Sequence, residues 1–309
     1  MLNEALNNFN KFFGINNTTT LPLVISLFVF ALGWTLKGIS NLFKESKRRK
    51  TIKHILRKNL HDLSINLSLE AKNSLKSSKT FASRTDANFE ITKNNFSQLS
   101  VFKEIGYQEM FNTFYKGFYN RFNSLLRIRA ASRLWGVINS ISDWEEYIKE
   151  EIKKFNELNN SYISLFNKSH KTYLDHIYNL IIHGNSFKTD NEKIYVSKLE
   201  QIRANWQKSD NFIHPDVVYE KLVLPSADLN NQYINITNHL ILPSMSLLND
   251  IDLSYRNRNR LLNSYSDLFI TSNKFYLKNS RRIRIITSIL YPSFKLSLKR
   301  FFSYSKKSK

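Results

Sequence analysis

The residues best suited to chemistry in this chain are its histidines, four of which form two pairs with the same spacing. His54 and His61 are seven residues apart, as are His176 and His183. Two histidines on one helix bind a metal ion when three or four residues separate them, whereas seven residues span about 10 Å of helix axis. We therefore predict no metal site from either pair. His176 and His183 are interpreted as polar positions in a helical packing face or as partly exposed residues at a helix end.

A cluster of carboxylates is the second candidate for chemistry. Glu145, Glu146, Glu150 and Glu151 could supply acid–base pairs or ligands for two metal ions. Helical di-metal sites use Glu-x-x-His motifs and the chain contains none, so we interpret the cluster as a solvated helix face. The chain also has no cysteine and no phosphate-loop, dinucleotide or nucleophile motif. No catalytic residue, metal ligand or cofactor is predicted.

One tripeptide, His214-Pro215-Asp216, resembles the signature of the J-domain co-chaperones. In that family the tripeptide follows a basic helix, begins the loop of a helical hairpin and contacts a heat-shock chaperone. The resemblance covers three residues. The preceding KLEQIRANW lacks the dense basic pattern, and Val217 stands where the family usually has lysine. The alternative is that Pro215 and Asp216 open a short helix, where proline and an acid are both favoured.

The element that dominates the chain is an apolar run from Leu21 to Leu36, inside a stretch between Lys11 and Lys37 without charge. About 20 apolar residues cross a bilayer as a helix. The positive charge follows the run instead of preceding it, unlike a secretory signal peptide, and the positive-inside rule then places the N-terminal tail outside. We predict a single-pass protein of the cell (plasma or inner) membrane, with an extracytoplasmic tail over 1–20 and a transmembrane helix over 21–43.

The formal net charge of +21 lies almost wholly in two segments. Residues 37–58 hold nine cations against Glu45, and residues 274–309 hold eleven cations and no acid. Cations near a membrane are each worth about 1 kcal/mol against an anionic leaflet, which predicts binding to an anionic lipid surface. The first segment can also serve only as a topology signal. The predicted lipid-surface residues are Lys47, Arg48, Arg49, Lys50, Arg281, Arg282, Arg284, Lys299 and Arg300.

Nucleic acid is the competing partner for so basic a chain. A nucleic-acid protein places its positive stripe on the folded domain. Here residues 59–273 hold 25 cations against 23 acids and are nearly neutral. Nucleic acid is therefore kept as the less favoured partner.

Helical periodicity extends through most of the remaining chain. Seven glycines and five prolines in 309 residues are too few for a many-stranded sheet. Apolar residues from Ile52 to Ala71 recur every three or four positions and predict a helix, although alternation from Leu63 to Leu69 leaves a short strand as the alternative. The polar stretch 77–100 reads as a loop. The phenylalanine stripe that follows predicts a buried helix face and comprises Phe111, Phe114, Phe118 and Phe122.

Two later segments carry seven-residue repeats. The first begins at the capping-box sequence Ser142-x-x-Glu145 and ends at Gly184, and the second follows Pro243. Together they predict a coiled-coil-like antiparallel hairpin or bundle. Between them the sequence predicts a shorter helix over 192–206 and a connection over 211–226. The predicted seam of the first segment comprises Ile148, Phe155, Tyr162, Phe166, Tyr173, His176 and His183. The repeat of the second comprises Leu248, Tyr255, Leu262, Phe269 and Tyr276.

These patterns predict an all-α protein with one N-terminal transmembrane helix. A cytoplasmic bundle of long helices would cover 44–273, and a basic amphipathic tail broken at Pro292 would cover 274–309. The function we expect is that of a membrane-anchored helical scaffold or interaction protein, whose seam binds a protein partner or a second copy. The alternative function is a membrane-bound enzyme or effector with an unrecognised site, or a membrane-tethered nucleic-acid binder.

Overall fold

The computed structural model describes residues 4, 7–8, 11–12, 17–83, 96–115, 124–183, 187, 189–235 and 238–291. All regular secondary structure in these residues is helical, which confirms the predicted all-α class and excludes the strand considered over 63–69. The α-helices are α1 (Asn17–Ser83), α2 (Ser97–Tyr115), α3 (Ser124–Ile182), α4 (Asp190–Gln207), α5 (Pro215–Val218), α6 (Leu224–Tyr233) and α7 (Asn238–Leu290). A π-helical turn, Tyr219–Val223, joins α5 to α6.

The chain divides into two compact units. Unit 1 comprises residues 1–63, 97–136 and 283–309, and unit 2 comprises residues 64–96 and 137–282. The long helices α1, α3 and α7 therefore each contribute to both units. Different residues of these three helices enter the two cores, and shorter helices complete each core.

The core of unit 1 takes side chains from α1, α2, α3 and α7. The predicted stripe of α1 supplies Ile52, Leu56, Leu60 and Leu63, all buried. The other buried apolar residues are Leu99, Phe102, Met110, Phe114, Ala130, Ala131, Leu134, Ile283, Ile286 and Leu290.

Tyr291, which follows α7, joins three elements of unit 1. Its ring meets that of Phe114 edge to face at 5.5 Å, and its hydroxyl donates to the carbonyl oxygen of Lys53 at 2.9 Å. Phe114 is buried and Phe111 is half-buried, so this part of the phenylalanine stripe faces the core. Phe118 and Phe122 lie outside the described residues.

In unit 2, α7 binds the backbone of α1 through a ladder of side-chain hydrogen bonds. Ser280 donates to the carbonyl oxygen of Ser64 at 2.8 Å, Asn273 to that of Ala71 at 2.7 Å, and Ser266 to that of Ser78 at 3.0 Å. Each step of seven residues along α7 corresponds to seven residues in the opposite direction along α1, so the two helices are antiparallel. Serine and alanine at these positions of α1 allow the backbones to approach closely.

The other side of α7 packs against α3 in unit 2. Tyr276 donates to a carboxylate oxygen of Glu145 at 2.6 Å, and Tyr265 donates to the carbonyl oxygen of Glu151 at 2.8 Å. Burial raises the pKa of Tyr276, and the Glu145 carboxylate raises it further. The second seven-residue series is buried throughout, at Leu248, Tyr255, Leu262, Phe269 and Tyr276.

Beyond the end of α1, helices α4 to α6 cover α3 and α7. α4 begins with a capping box in which Thr189 and Glu192 bind each other's backbone N–H groups. The buried cluster here includes a polar chain: the Tyr195 hydroxyl donates to Asn230 Oδ1 at 2.8 Å, and Asn230 Nδ2 donates to Ser244 Oγ at 3.1 Å. These hydrogen bonds fix how α4, α6 and α7 meet.

The helix start predicted at Ser142 is wrong, because α3 runs without interruption from Ser124 to Ile182. Ile138 and Ile141 are buried before that position and Ile148 is buried after it, so core packing continues through Ser142. Glu145 accepts a hydrogen bond from α7 in this arrangement. The capping-box sequence therefore serves tertiary packing here and does not begin a helix.

Two predicted connections contain helical residues. Residues 77–83 and 97–100 of the predicted loop belong to α1 and α2, while 84–95 lie outside the described residues. The predicted connection over 211–226 is helical from Pro215 onward. His214 is the N-cap of α5 and accepts a hydrogen bond from the Asp216 N–H, and the Asp216 carboxylate accepts one from Tyr255 at 2.9 Å. The tripeptide thus opens a short helix, as the alternative interpretation held.

Candidate functional site

The first half of α1 is the part of the described chain that could enter a membrane. Among the described helices, it is the one that is long and apolar enough to cross a membrane. An 18-residue window in it has a mean hydropathy of 1.8, and no residue of that window is buried. Phe28, Phe30 and Trp34 are 66%, 74% and 73% exposed. This apolar surface ends at Phe43, directly before the first residues of a charged cleft.

The charged cleft is formed in unit 1 by α1 and α2. One part, of about 340 Å³, is lined by Glu45, Arg48, Arg49, Ile52, Gln108, Glu109, Asn112 and Thr113. The adjoining part, of about 530 Å³, is lined by Lys44, Lys47, Arg48, Thr51, Ile52, Glu104, Ile105 and Glu109. The two parts share Arg48, Ile52 and Glu109. Across them Arg48 forms an ion pair of 2.6 Å with Glu109. The cleft therefore combines cations from α1 with acids and amides from α2.

A kink at Gly106 sets the α2 side of the charged cleft. Gly106 has φ 70° and ψ 159°, a conformation that is essentially restricted to glycine. Glu104 and Ile105 precede the kink, whereas Gln108 and Glu109 follow it, and all four line the cleft. The change in chain direction is thus what brings both groups to the same wall.

Cations are also crowded elsewhere in unit 1, around Lys53, which lines neither part of the charged cleft. The pKa of Lys53 is lowered by burial and by the nearby guanidinium groups of Arg127 and Arg49. The Lys53 ammonium lies 5.8 Å from the ring centre of Phe114, and burial also lowers the pKa of Arg127. This concentration of positive charge favours an anion nearby.

The predicted lipid-surface residues are found in different settings. Lys47, Arg48 and Lys50 are exposed, and Arg49 is half-buried with its guanidinium 3.8 Å from Glu45. Lys47, Arg48 and Arg49 line the charged cleft, but Lys50 lines neither part. Arg281, Arg282 and Arg284 are exposed near the end of α7. Lys299 and Arg300, with the rest of the tail after residue 291, lie outside the described residues.

The predicted seam residues occupy the core of unit 2 to different degrees. Ile148, Phe155, Phe166 and Tyr173 are buried, Tyr162 and His176 are half-buried, and His183 is exposed. Phe155 packs against Phe81 of α1 and Tyr265 of α7, with ring centres 5.0 and 4.9 Å away. Burial lowers the pKa of His176. The chain itself covers most of the seam.

Sequence reasoning identified the cations of the charged cleft but not the residues of α2 that face them. Glu104, Gln108, Glu109 and Asn112 lie about 60 positions from Arg48 along the chain, and no repeat links the two segments. The one available signal was Gly106, a glycine between two acids in a helical pattern. In the described residues, no group of three or more histidine, aspartate or glutamate side chains could hold a metal ion.

Comparisons with known proteins do not assign this site. No family model matches the chain, and neither a curated protein nor a solved structure matches it.

Replacing Gly106 by alanine should lower the free energy of unfolding by about 1–3 kcal/mol, because the backbone conformation disfavours any Cβ atom. The added methyl group would meet no atom within 4 Å, so the loss would come from the backbone alone. Urea unfolding of the detergent-solubilised chain measures this change in the free energy of unfolding. Gly136→Ala is the matched control: Gly136 lies in α3 with equally open space, and alanine should stabilise it by up to about 1 kcal/mol. A Gly106→Ala variant as stable as the parent chain would contradict the proposed strain.

Proposed function

We propose that this chain is a membrane-anchored helical interaction protein. One observation carries the proposal: no residue in the 18-residue apolar window of α1 is buried, yet the same helix continues to Ser83 and supplies buried residues to both cores. Apolar surface of that extent is stable inside a bilayer and costly in water. The window is the anchor, and the remainder of α1 joins it to the helical units.

The anchor crosses the cell membrane once, with the N-terminal tail outside and the helical units in the cytoplasm. The cations that begin at Lys37 support this orientation, since positive charge is retained on the cytoplasmic side. Lys47, Arg48 and Lys50 are exposed just beyond the anchor, where an anionic leaflet attracts them. Lipid is therefore the first partner of the protein.

A protein partner binds the outer margin of the seam. α3 packs against α7 within the chain, so the buried seam residues are already covered. That this pairing is coiled-coil-like stays a prediction. Leu158 and Leu165, seven residues apart on α3, remain 43% and 50% exposed. Their seven-residue spacing places both on one face of α3, where a helical partner, or a second copy of this chain, packs against them.

Reporter fusions after Lys309 test the anchoring and its orientation. A reporter active only in the cytoplasm should be active, a reporter active only outside should be silent, and the fusion should stay in the membrane pellet after alkaline carbonate extraction. Release by carbonate would contradict the anchor. A pelleted fusion with the opposite reporter pattern would instead reverse the orientation.

A further inference from the structure

We infer that the charged cleft binds the headgroup of one aminophospholipid, with the phosphate at Lys44 and Lys47 and the ammonium at Glu104. This inference rests on the anchoring proposed above, because the anchor brings the cleft to the membrane surface. Its test uses detergent-solubilised protein, so it can fail while the anchoring holds, and the reverse is also true.

The cations of the charged cleft are not equally available to a ligand. Arg48 is paired with Glu109 at 2.6 Å, and Arg49 with Glu45 at 3.8 Å. Within the part of the chain that the structure describes, Lys44 and Lys47 form no ion pair, and both are exposed. Two lysines one turn apart on a helix present their ammonium groups to the same side and can share one phosphate.

The acids of the cleft distinguish one headgroup from another. Once Glu109 and Glu45 are paired, Glu104 is the acid of the cleft that has no cationic partner among the described residues. A glycerol headgroup offers it no charge, whereas an ethanolamine headgroup carries an ammonium next to its phosphate. Glu104 therefore favours a ligand that carries both signs of charge. This preference differs from the general attraction of a basic surface to anionic lipid.

The position and size of the charged cleft agree with a lipid ligand. Lys44 follows Phe43, the last residue of the exposed apolar surface of α1, so the cleft opens where headgroups would lie. Its parts of about 340 and 530 Å³ fall in the range of small-molecule sites. Ile52 and Ile105 supply apolar wall beside the charges, as the glycerol end of a lipid requires.

Titration of the full chain in detergent tests the inference, with heat of binding as the readout. The probes are dihexanoyl phosphatidylethanolamine, dihexanoyl phosphatidylglycerol and inorganic phosphate. We expect one ethanolamine lipid to bind per chain, more tightly than either other probe. The double variant Lys44→Gln/Lys47→Gln should weaken that binding about tenfold, and Glu104→Gln should weaken it about threefold without weakening the glycerol lipid.

Lys76→Gln/Lys79→Gln is the matched control, since these two lysines are exposed on the same helix with the same spacing but line neither part of the cleft. Circular dichroism of each variant checks that helix content is retained. Equal losses of affinity in the control and in Lys44→Gln/Lys47→Gln would overturn the inference, because they would indicate a general attraction of the lipid to basic surface. Equal binding of the two lipids would overturn the role of Glu104, and equally tight inorganic phosphate would make this a site for free phosphate.

Discussion

Placing arginines at Val29 and Leu32 should release the protein from membranes. Each arginine near the centre of a membrane-spanning helix costs about 2.5–3.5 kcal/mol on insertion scales, so two should cost about 5–7 kcal/mol. Both positions lie inside the exposed apolar part of α1 and contact no core. The variant Val29→Arg/Leu32→Arg should therefore keep its helical units and lose its anchor.

The measurement is the share of protein that stays in the pellet after carbonate extraction. Leu242→Arg/Leu253→Arg is the matched control, because these leucines are 56% and 58% exposed on α7, away from the apolar segment. The control should stay in the pellet as the parent chain does. If the Val29→Arg/Leu32→Arg variant also resists extraction, α1 is not what holds the protein to the membrane.

Replacing Phe155 by alanine should lower the free energy of unfolding by about 3–5 kcal/mol. Its side chain is 1% exposed and packs against Phe81, Tyr265 and other residues of one cluster drawn from α1, α3 and α7. Truncation removes the buried ring and leaves a cavity where the three helices meet. Urea unfolding of the detergent-solubilised chain, followed by circular dichroism, gives the difference.

Leu158→Ala is the control for Phe155→Ala. Leu158 lies one turn further along α3 and is 43% exposed, so its truncation should cost well under half as much. Equal losses in the two variants would mean that burial of the Phe155 ring does not determine the cost of its truncation. No loss in Phe155→Ala would remove this residue from the core.

The repeats of the sequence predicted the core better than the local helix signals predicted helix ends. Spacing alone identified the buried face of α7 from Leu248 to Tyr276, because burial of one face imposes the period of the helix on the sequence. The helix start predicted from the capping-box sequence at Ser142 was wrong because of a tertiary contact. Glu145 accepts a hydrogen bond from Tyr276, which is 131 residues away in the sequence. A motif of four residues does not indicate so distant a partner.

Half of the charged cleft could be predicted from the sequence. The cations of α1 form a run beside an apolar segment, and such a run by itself indicates a membrane surface. Glu104 and Glu109 acquire their role only when α2 packs beside α1, and their own neighbours do not show it. A polar contact confined to one or two turns of a helix is too short to leave a periodic pattern in the sequence, so the acidic wall required the structure.

The hydrogen-bond ladder between α7 and α1 has a consequence for the order of events during synthesis. Its three rungs join residues 188 to 216 positions apart, so none can form before most of the chain has left the ribosome. At about 5–20 residues per second, α1 waits about 10–40 s for its partner helix. During that interval the carbonyl groups of α1 have no hydrogen bonds from α7, and the apolar face beside them is not covered by it. A newly made chain thus depends on its last long helix to close a surface that its first helix exposes.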